Sequence, residues 1–412
     1  MTTMPIMKRN AFHLVSLVLF TWLASAPLTE GQIRISKPAG EKITIQLAGL
    51  RAGDDEASRV FAQTLQGNLN RSGWFSVVRA GQAEVSVVGS VERRRNQLHV
   101  QCTVTGIGNR QQYLSKTYRH TASDARRLAH TVADEIVEAV TGRKGIASTR
   151  IVLVGVKDNA KELFLCDADG GNLMQLTHDR NIAVRPRWGP TSKQLTYTAY
   201  LQRFPDVFLV DLDSGNRTAV ANYSGLNSGG VLSPDGQDMA VVLSKDGNPE
   251  LYIKHLRSGR LTRLTNTPRA NEASPSWSPD GRQIVYVSDQ AGRPQLYIIS
   301  RDGGAPRRVT SRGSENVAPD WGPNGLIAFA SRVGGRYQIA IMDPQTEQVR
   351  YLDTPDYADY EDPSWAPNGR HLVCARRENF RSSIYVLDTM GDAPLRLTHQ
   401  GGDWYSPAWS PE

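Results

Sequence analysis

From about residue 150 to the end, the chain is built of short apolar stretches separated by turns rich in Gly, Pro and Asp. One unit shows the pattern cleanly. Residues 275–277, 284–287, 296–299 and 307–310 read as four strands, too short for helices and rich in β-branched and aromatic side chains. Pro279-Asp280-Gly281 turns the first strand into the second, because Pro presets φ and Gly accepts positive φ. Asp302-Gly303-Gly304 does the same between the third and fourth.

This unit recurs in phase. Its tag appears as Trp188-Gly189-Pro190, Leu232-Ser233-Pro234-Asp235-Gly236, Trp277-Ser278-Pro279-Asp280-Gly281, Trp321-Gly322-Pro323-Asn324-Gly325, Trp365-Ala366-Pro367-Asn368-Gly369 and Trp409-Ser410-Pro411. The steps between the lead residues are 44, 45, 44, 44 and 44. Four strands per period of this length predict β-propeller blades. The first unit starts at Ile151 without a first strand, whereas residues 407–410 form a first strand with nothing behind it. Pairing residues 407–410 with 151–154 predicts six blades closed by the C-terminal strand, which removes an exposed sheet edge.

Upstream the period is lost. Residues 43–47 alternate as a strand, and a helix follows from Asp54-Asp55 with Val60, Phe61, Leu65 and Leu69 on one face, stopped near Gly73. Residues 85–91 and 98–107 read as a hairpin around Arg93-Arg94-Arg95-Asn96, and 113–118 as a further strand. Ser123 is the expected cap of a second helix bearing Leu128, Val132, Ile136 and Val140, ended by Gly142. The expected organisation is a leader at 1–31, a small α+β domain at 32–145 and the all-β propeller at 146–412.

The leader reading rests on Lys8 and Arg9, an apolar run at residues 11–23 too short for a comfortable membrane span, and Ala24-Ser25-Ala26. Pro27 disfavours cleavage directly after Ala26, so the cut is expected between 26 and 31. No cysteine near that point offers a lipid anchor, so direct membrane insertion is not expected. Cys102, Cys166 and Cys374 are odd in number and lie in strand-like runs, which predicts buried, unreactive thiols. A net charge of +7 spread over all repeats, with no accompanying nucleic-acid motif, argues against nucleic acid as a partner.

Four antiparallel strands put the tight Pro-Asp-Gly and Gly-Gly turns on one propeller face and the longer, variable connections on the other. These are 179–183, 222–229, 267–273, 311–317, 355–361 and 400–405. Loops on a rigid scaffold favour binding. The candidate docking residues there are Asn227, Gly229, Asn271, Glu272, Ala273, Glu315, Asn316, Tyr360, Glu361, Trp404 and Tyr405, beside Tyr223, Tyr357 and Asp403. No nucleophile elbow, His-Glu-x-x-His, Cys-x-x-Cys or phosphate-binding Gly loop is present. His178 and His399 occupy equivalent rim positions without a supporting carboxylate set, so no metal, cofactor or catalytic group is expected.

Leader, α+β domain and six-unit propeller together resemble the TolB family, the periplasmic component of the Tol–Pal envelope system. The similarity extends to Leu128-Ala129-His130-Thr131-Val132-Ala133-Asp134-Glu135-Ile136, Thr141-Gly142, Ser148-Thr149-Arg150-Ile151, residues 288–295 and Pro407-Ala408-Trp409-Ser410-Pro411. Leu232 stands where the family has Trp, and Thr191-Ser192 where it has Asp-Gly. The resemblance implies a periplasmic, non-enzymatic scaffold that acts in envelope integrity and constriction at division. It implies that the loop-bearing mouth receives the lipoprotein Pal. It further implies that the mature N-terminal segment, here Gln32, Ile33, Arg34 and Ile35, engages TolA by strand addition. The alternative is a propeller accessory to a hydrolase or lyase, although no stretch has the size of a hydrolase domain.

Overall fold

The computed structural model describes residues 35, 37–38, 40–399 and 401–412. The expected leader and Gln32, Ile33 and Arg34 lie outside them. The α+β part runs β1 (Ile43–Ala52), α1 (Glu56–Arg71), β2 (Phe75–Val77), β3 (Val85–Arg94), β4 (Gln97–Gly106), β5 (Gln112–Thr121) and α2 (Ala125–Thr141). The sheet order is β2-β1-β3-β4-β5, with β1 parallel to both of its neighbours.

Asp55 caps α1 by accepting from the Ser58 N–H at 3.1 Å. Phe61, Leu65 and Leu69 are fully buried, and Val60 packs at the edge of the same core. α2 buries Leu128, Val132, Ile136 and Val140 and ends on Gly142 in the left-handed conformation. Ser123 is not its cap. It sits in a single 3-10 turn, and Asp124 holds the cap position while accepting from the Thr121 hydroxyl at 2.6 Å.

Six four-stranded blades follow. Blade I contains Trp404–Trp409, Arg150–Lys157, Ala160–Asp167 and Met174–Gln175. The closing strand pairs Trp409 with Ile151 and Tyr405 with Val154, as the unpaired ends of the repeat predict. The inner strands of blades II to VI are Ala183–Trp188, Asn227–Leu232, Glu272–Trp277, Asn316–Trp321 and Asp359–Trp365. Residues 404 and 405, read from sequence as loop, belong to the inner strand of blade I.

The tag explains both turn and seam. Ser278 accepts from the Gly281 N–H through its carbonyl and from the Gln283 N–H through its hydroxyl, while Gly281 sits at φ +68°. The tryptophans wedge between blades. The Trp188 indole donates to the Ala408 carbonyl at 2.9 Å, and that of Trp277 to the Val231 carbonyl at 3.0 Å. Burying one such ring removes about 150–250 Å² from water, an upper bound of about 4–6 kcal/mol per blade seam. The cysteines are free and buried, and burial pushes Cys102 and Cys166 up to about 12.

The α+β domain rests on the tight-turn face. Arg126 of α2 pairs with Asp169 at 2.5 Å and with Asp167 at 3.3 Å, both in blade I. Lys42 pairs with Asp392 of blade VI at 2.6 Å. These contacts cover part of that face and leave the loop-bearing face free of the domain.

Candidate docking mouth

Each inner strand carries the same irregularity three residues before its lead residue. Arg185, Gly229, Ser274, Ala318, Asp362 and Ser406 all have positive φ, between 41° and 66°. At each of these points the pairing with the second strand slips register. A bulge repeated six times turns one residue per blade toward the channel, with a side chain in every blade but that of Gly229. All six line a cavity of about 230 Å³ at the loop-bearing end of the channel. Arg185 donates across it to the Ser274 hydroxyl at 3.1 Å, and Ser406 donates to Asp362 at 2.8 Å.

A second layer lies two residues further along: Arg187, Val231, Ser276, Asp320, Ser364 and Ala408. It lines a cavity of about 410 Å³ toward the tight-turn end, where Lys144 also contributes. Three of these side chains join blades, because Ser276 accepts from the Trp321 N–H, Asp320 from Trp365 at 2.7 Å and Ser364 from Trp409. Burial pushes the Asp320 carboxyl up, with Arg187 opposing.

The candidates taken from the sequence separate by register. Asn227, Glu272, Asn316, Tyr360 and Trp404 all stand five residues before a lead residue, and all are buried. They pin the loops. The Asn227 amide donates to the Tyr223 and Pro205 carbonyls and accepts from the Tyr223 N–H. The Asn316 amide donates to Gln295 and to the Arg312 carbonyl. Glu272 accepts from Thr267 at 2.6 Å, and burial raises its carboxyl. Trp404 packs edge-on against Phe164.

Ala273, Glu361 and Tyr405, one residue on, are half-buried. Burial raises Glu361 despite Arg377 at 3.2 Å, and Lys161 lies over the Tyr405 ring. Asn271 is exposed and bonded to Asp289, while the Tyr337 hydroxyl and Arg332 hold Glu315 below the usual range. Of the candidates, Gly229 alone lies on the bulge ring. Ile35 is half-buried, packs on the α+β core and donates its N–H to the Val140 carbonyl at 3.0 Å.

Sequence reading passed over the other five ring residues. The signal was their constant offset from the lead residue, since their chemical types differ. The rim also exposes aromatics. Phe380 is 97 % exposed at the tip of a blade VI hairpin, and Tyr357 is 92 % exposed beneath the Arg336 guanidinium. Arg376 ties them together by bonding both Asp356 and Glu378. His178 and His399 are exposed on this rim.

On the opposite side, His130, Asp167 and Asp169 have the spacing of a metal site. Arg126 already neutralises both carboxylates, and His130 bonds Asn68 and Asp167, which makes the cluster a domain-interface network.

The TolB beta propeller domain family model matches residues 137–412. The chain is 31 % identical over 414 residues to the Tol-Pal system protein TolB of Gluconobacter oxydans (strain 621H), covering 94 % of this chain and 90 % of that one. It is 34 % identical over 344 residues to that of Methylobacillus flagellatus, covering 83 % and 78 %. The crystal structure of TolB from Acinetobacter baumannii superposes with a TM-score of 0.81 at 28 % identity, covering 90 % of this chain and 97 % of that one.

Proposed function

Because this chain belongs to the TolB family and is a component of the Tol–Pal system, we propose that it is a periplasmic scaffold whose loop-bearing propeller mouth docks the lipoprotein Pal. One observation carries this reading. The α+β domain occupies the tight-turn face, whereas the opposite end of the channel is open, ringed by six bulge residues and flanked by the exposed Phe380 and Tyr357. Exposed aromatics beside arginines have the composition of protein interface centres. The segment 32–35 would engage TolA, and binding rather than catalysis is the protein's task in envelope integrity and constriction.

In that reading the anchoring of Ile35 on α2 is a competing state that a partner would displace. The test is a titration of the purified chain with Pal from the same genome, by calorimetry, with EDTA present in a parallel run. Saturable, metal-independent binding that Phe380→Ala weakens supports docking at the mouth. Absence of Pal binding overturns it. Deleting residues 32–36 should abolish TolA binding and spare Pal binding.

A further inference from the structure

Besides Lys144 at the tight-turn end, four ionisable side chains line the channel. Arg185 and Arg187 stand on the inner strand of blade II, Asp320 on that of blade V and Asp362 on that of blade VI. Among the described residues none of the four forms an ion pair, although pairs are frequent on the surface of the same molecule. The two arginines and Asp362 line the loop-side cavity, and Arg187 and Asp320 line the deeper one, so Arg187 joins the two layers. Blades II and V lie opposite each other in a ring of six. The arginines therefore stem from one wall and the carboxylates from the facing side, with Arg185 reaching across to Ser274 and Arg187 the charge that opposes the rise of Asp320.

Each wall is built to hold its charge in place. Arg185 is held by the Ser274 hydroxyl, and Asp362 accepts from Ser406. Asp320 accepts from the Trp365 backbone, so its carboxylate cannot swing across to Arg187 without breaking a blade-to-blade bond. Burial raises Asp320 toward its neutral form, Arg187 opposes that, and a cation bound beside it would favour the carboxylate. A guanidinium pair offers forked donors suited to a carboxylate, and the facing carboxylates suit an ammonium. The two cavities, of about 230 and 410 Å³, can hold a molecule of a few residues.

We propose that the channel binds a small zwitterion, an amino acid or short peptide, with its carboxylate on Arg185 and Arg187 and its ammonium on Asp320 and Asp362. This goes beyond the docking reading and does not depend on it, because the ligand can be titrated with no protein partner present.

The experiment is calorimetric titration of the purified chain with glycylglycine, N-acetyl-glycylglycine and glycylglycine amide. Glycylglycine should bind saturably, and each blocked form at least tenfold more weakly, or about 1.4 kcal/mol. Arg187→Gln should lower glycylglycine affinity and erase discrimination against the amide, while keeping discrimination against the acetylated form. Asp320→Asn, which keeps an acceptor for Trp365, should do the reverse. Arg185→Gln and Asp362→Asn alter the loop-side layer and repeat the comparison should the deeper variants fail to fold. No saturation by glycylglycine, equal binding of the blocked forms, or folded variants with unchanged affinities would overturn the proposal.

Discussion

The guanidinium of Arg370 lies 4.5 Å from the centroid of the Trp74 ring while bonding the Asp388 carboxylate through Nε and Nη2. Trp74 follows α1 in the α+β domain, and Arg370 belongs to a tight turn of blade VI. One side chain thus closes a propeller blade and receives the neighbouring domain. Arg370→Ala leaves Asp388 buried without its partner and should cost about 3–5 kcal/mol of propeller stability. Trp74→Ala removes the stacking and should cost about 1–2 kcal/mol, leaving the blade intact. Urea unfolding of both variants checks the ranking.

Next to this pair, His371 is buried and held neutral. Burial pulls it from 6.5 down to about 4, with Asp388 opposing. It accepts at Nδ1 from the Asn368 amide at 3.0 Å. The unfolded chain takes up this proton near pH 6.5, whereas the folded chain does so only near pH 4. Its contribution is therefore whole above pH 6.5 and drains as pH falls toward 4, at about 1.4 kcal/mol per unit. Between pH 7 and 5 the wild type should lose about 2 kcal/mol more than His371→Gln. Denaturant titrations at the two pH values measure the difference, and equal losses would rule out this source.

Ring closure depends on Trp409, whose indole donates to the Thr149 hydroxyl at 2.7 Å and whose ring packs among blades I and VI. Trp409→Ala should destabilise by about 3–5 kcal/mol. Thr149→Val removes the acceptor but keeps the packing and should cost about 1–3 kcal/mol, the penalty of an unpaired buried donor. Thermal melts of the two variants should separate packing from hydrogen bonding.

Phe380 sits at φ +64° after Asn379 at +48°, where the corresponding hairpin of blade V uses Gly334 and Gly335. A bulky residue in this conformation costs about 1–2 kcal/mol relative to Gly. Because the ring is 97 % exposed, packing returns nothing. Phe380→Gly should therefore raise stability by about 1 kcal/mol while weakening Pal binding about tenfold. Unfolding and calorimetry on the same preparation test both halves; stability gained without loss of affinity would detach Phe380 from docking.

Blade number, the closing strand and both helices were legible because each rests on a repeated local signal: the tag at 44 or 45 residues, and apolar residues every three or four positions. The three-residue β2 is too short for a periodic signal, and the parallel pairing of β1 joins Ile43 to Phe75 and Ile45 to Val85, far apart in the chain. The α2 cap was misassigned because Ser123 and Asp124 are both good capping types and a 3-10 turn shifted the start by one residue. At the mouth, residues 227, 272, 316, 360 and 404 looked like loop functionality, but strand alternation turns them inward. The ring behind them was invisible because Arg, Ser, Ala and Asp at positive φ carry none of the glycine signature that marks such backbone.

The pairing of Trp404–Trp409 with Arg150–Lys157 means that one blade is assembled from strands more than 240 positions apart. A growing or emerging polypeptide can complete blades II to VI in order, yet blade I waits for residues 404–409. Asp167 and Asp169, which receive Arg126, sit on that last-finished blade. The α+β domain can thus gain its full seating only once that strand has arrived, so docking of the two parts follows synthesis of all six blades.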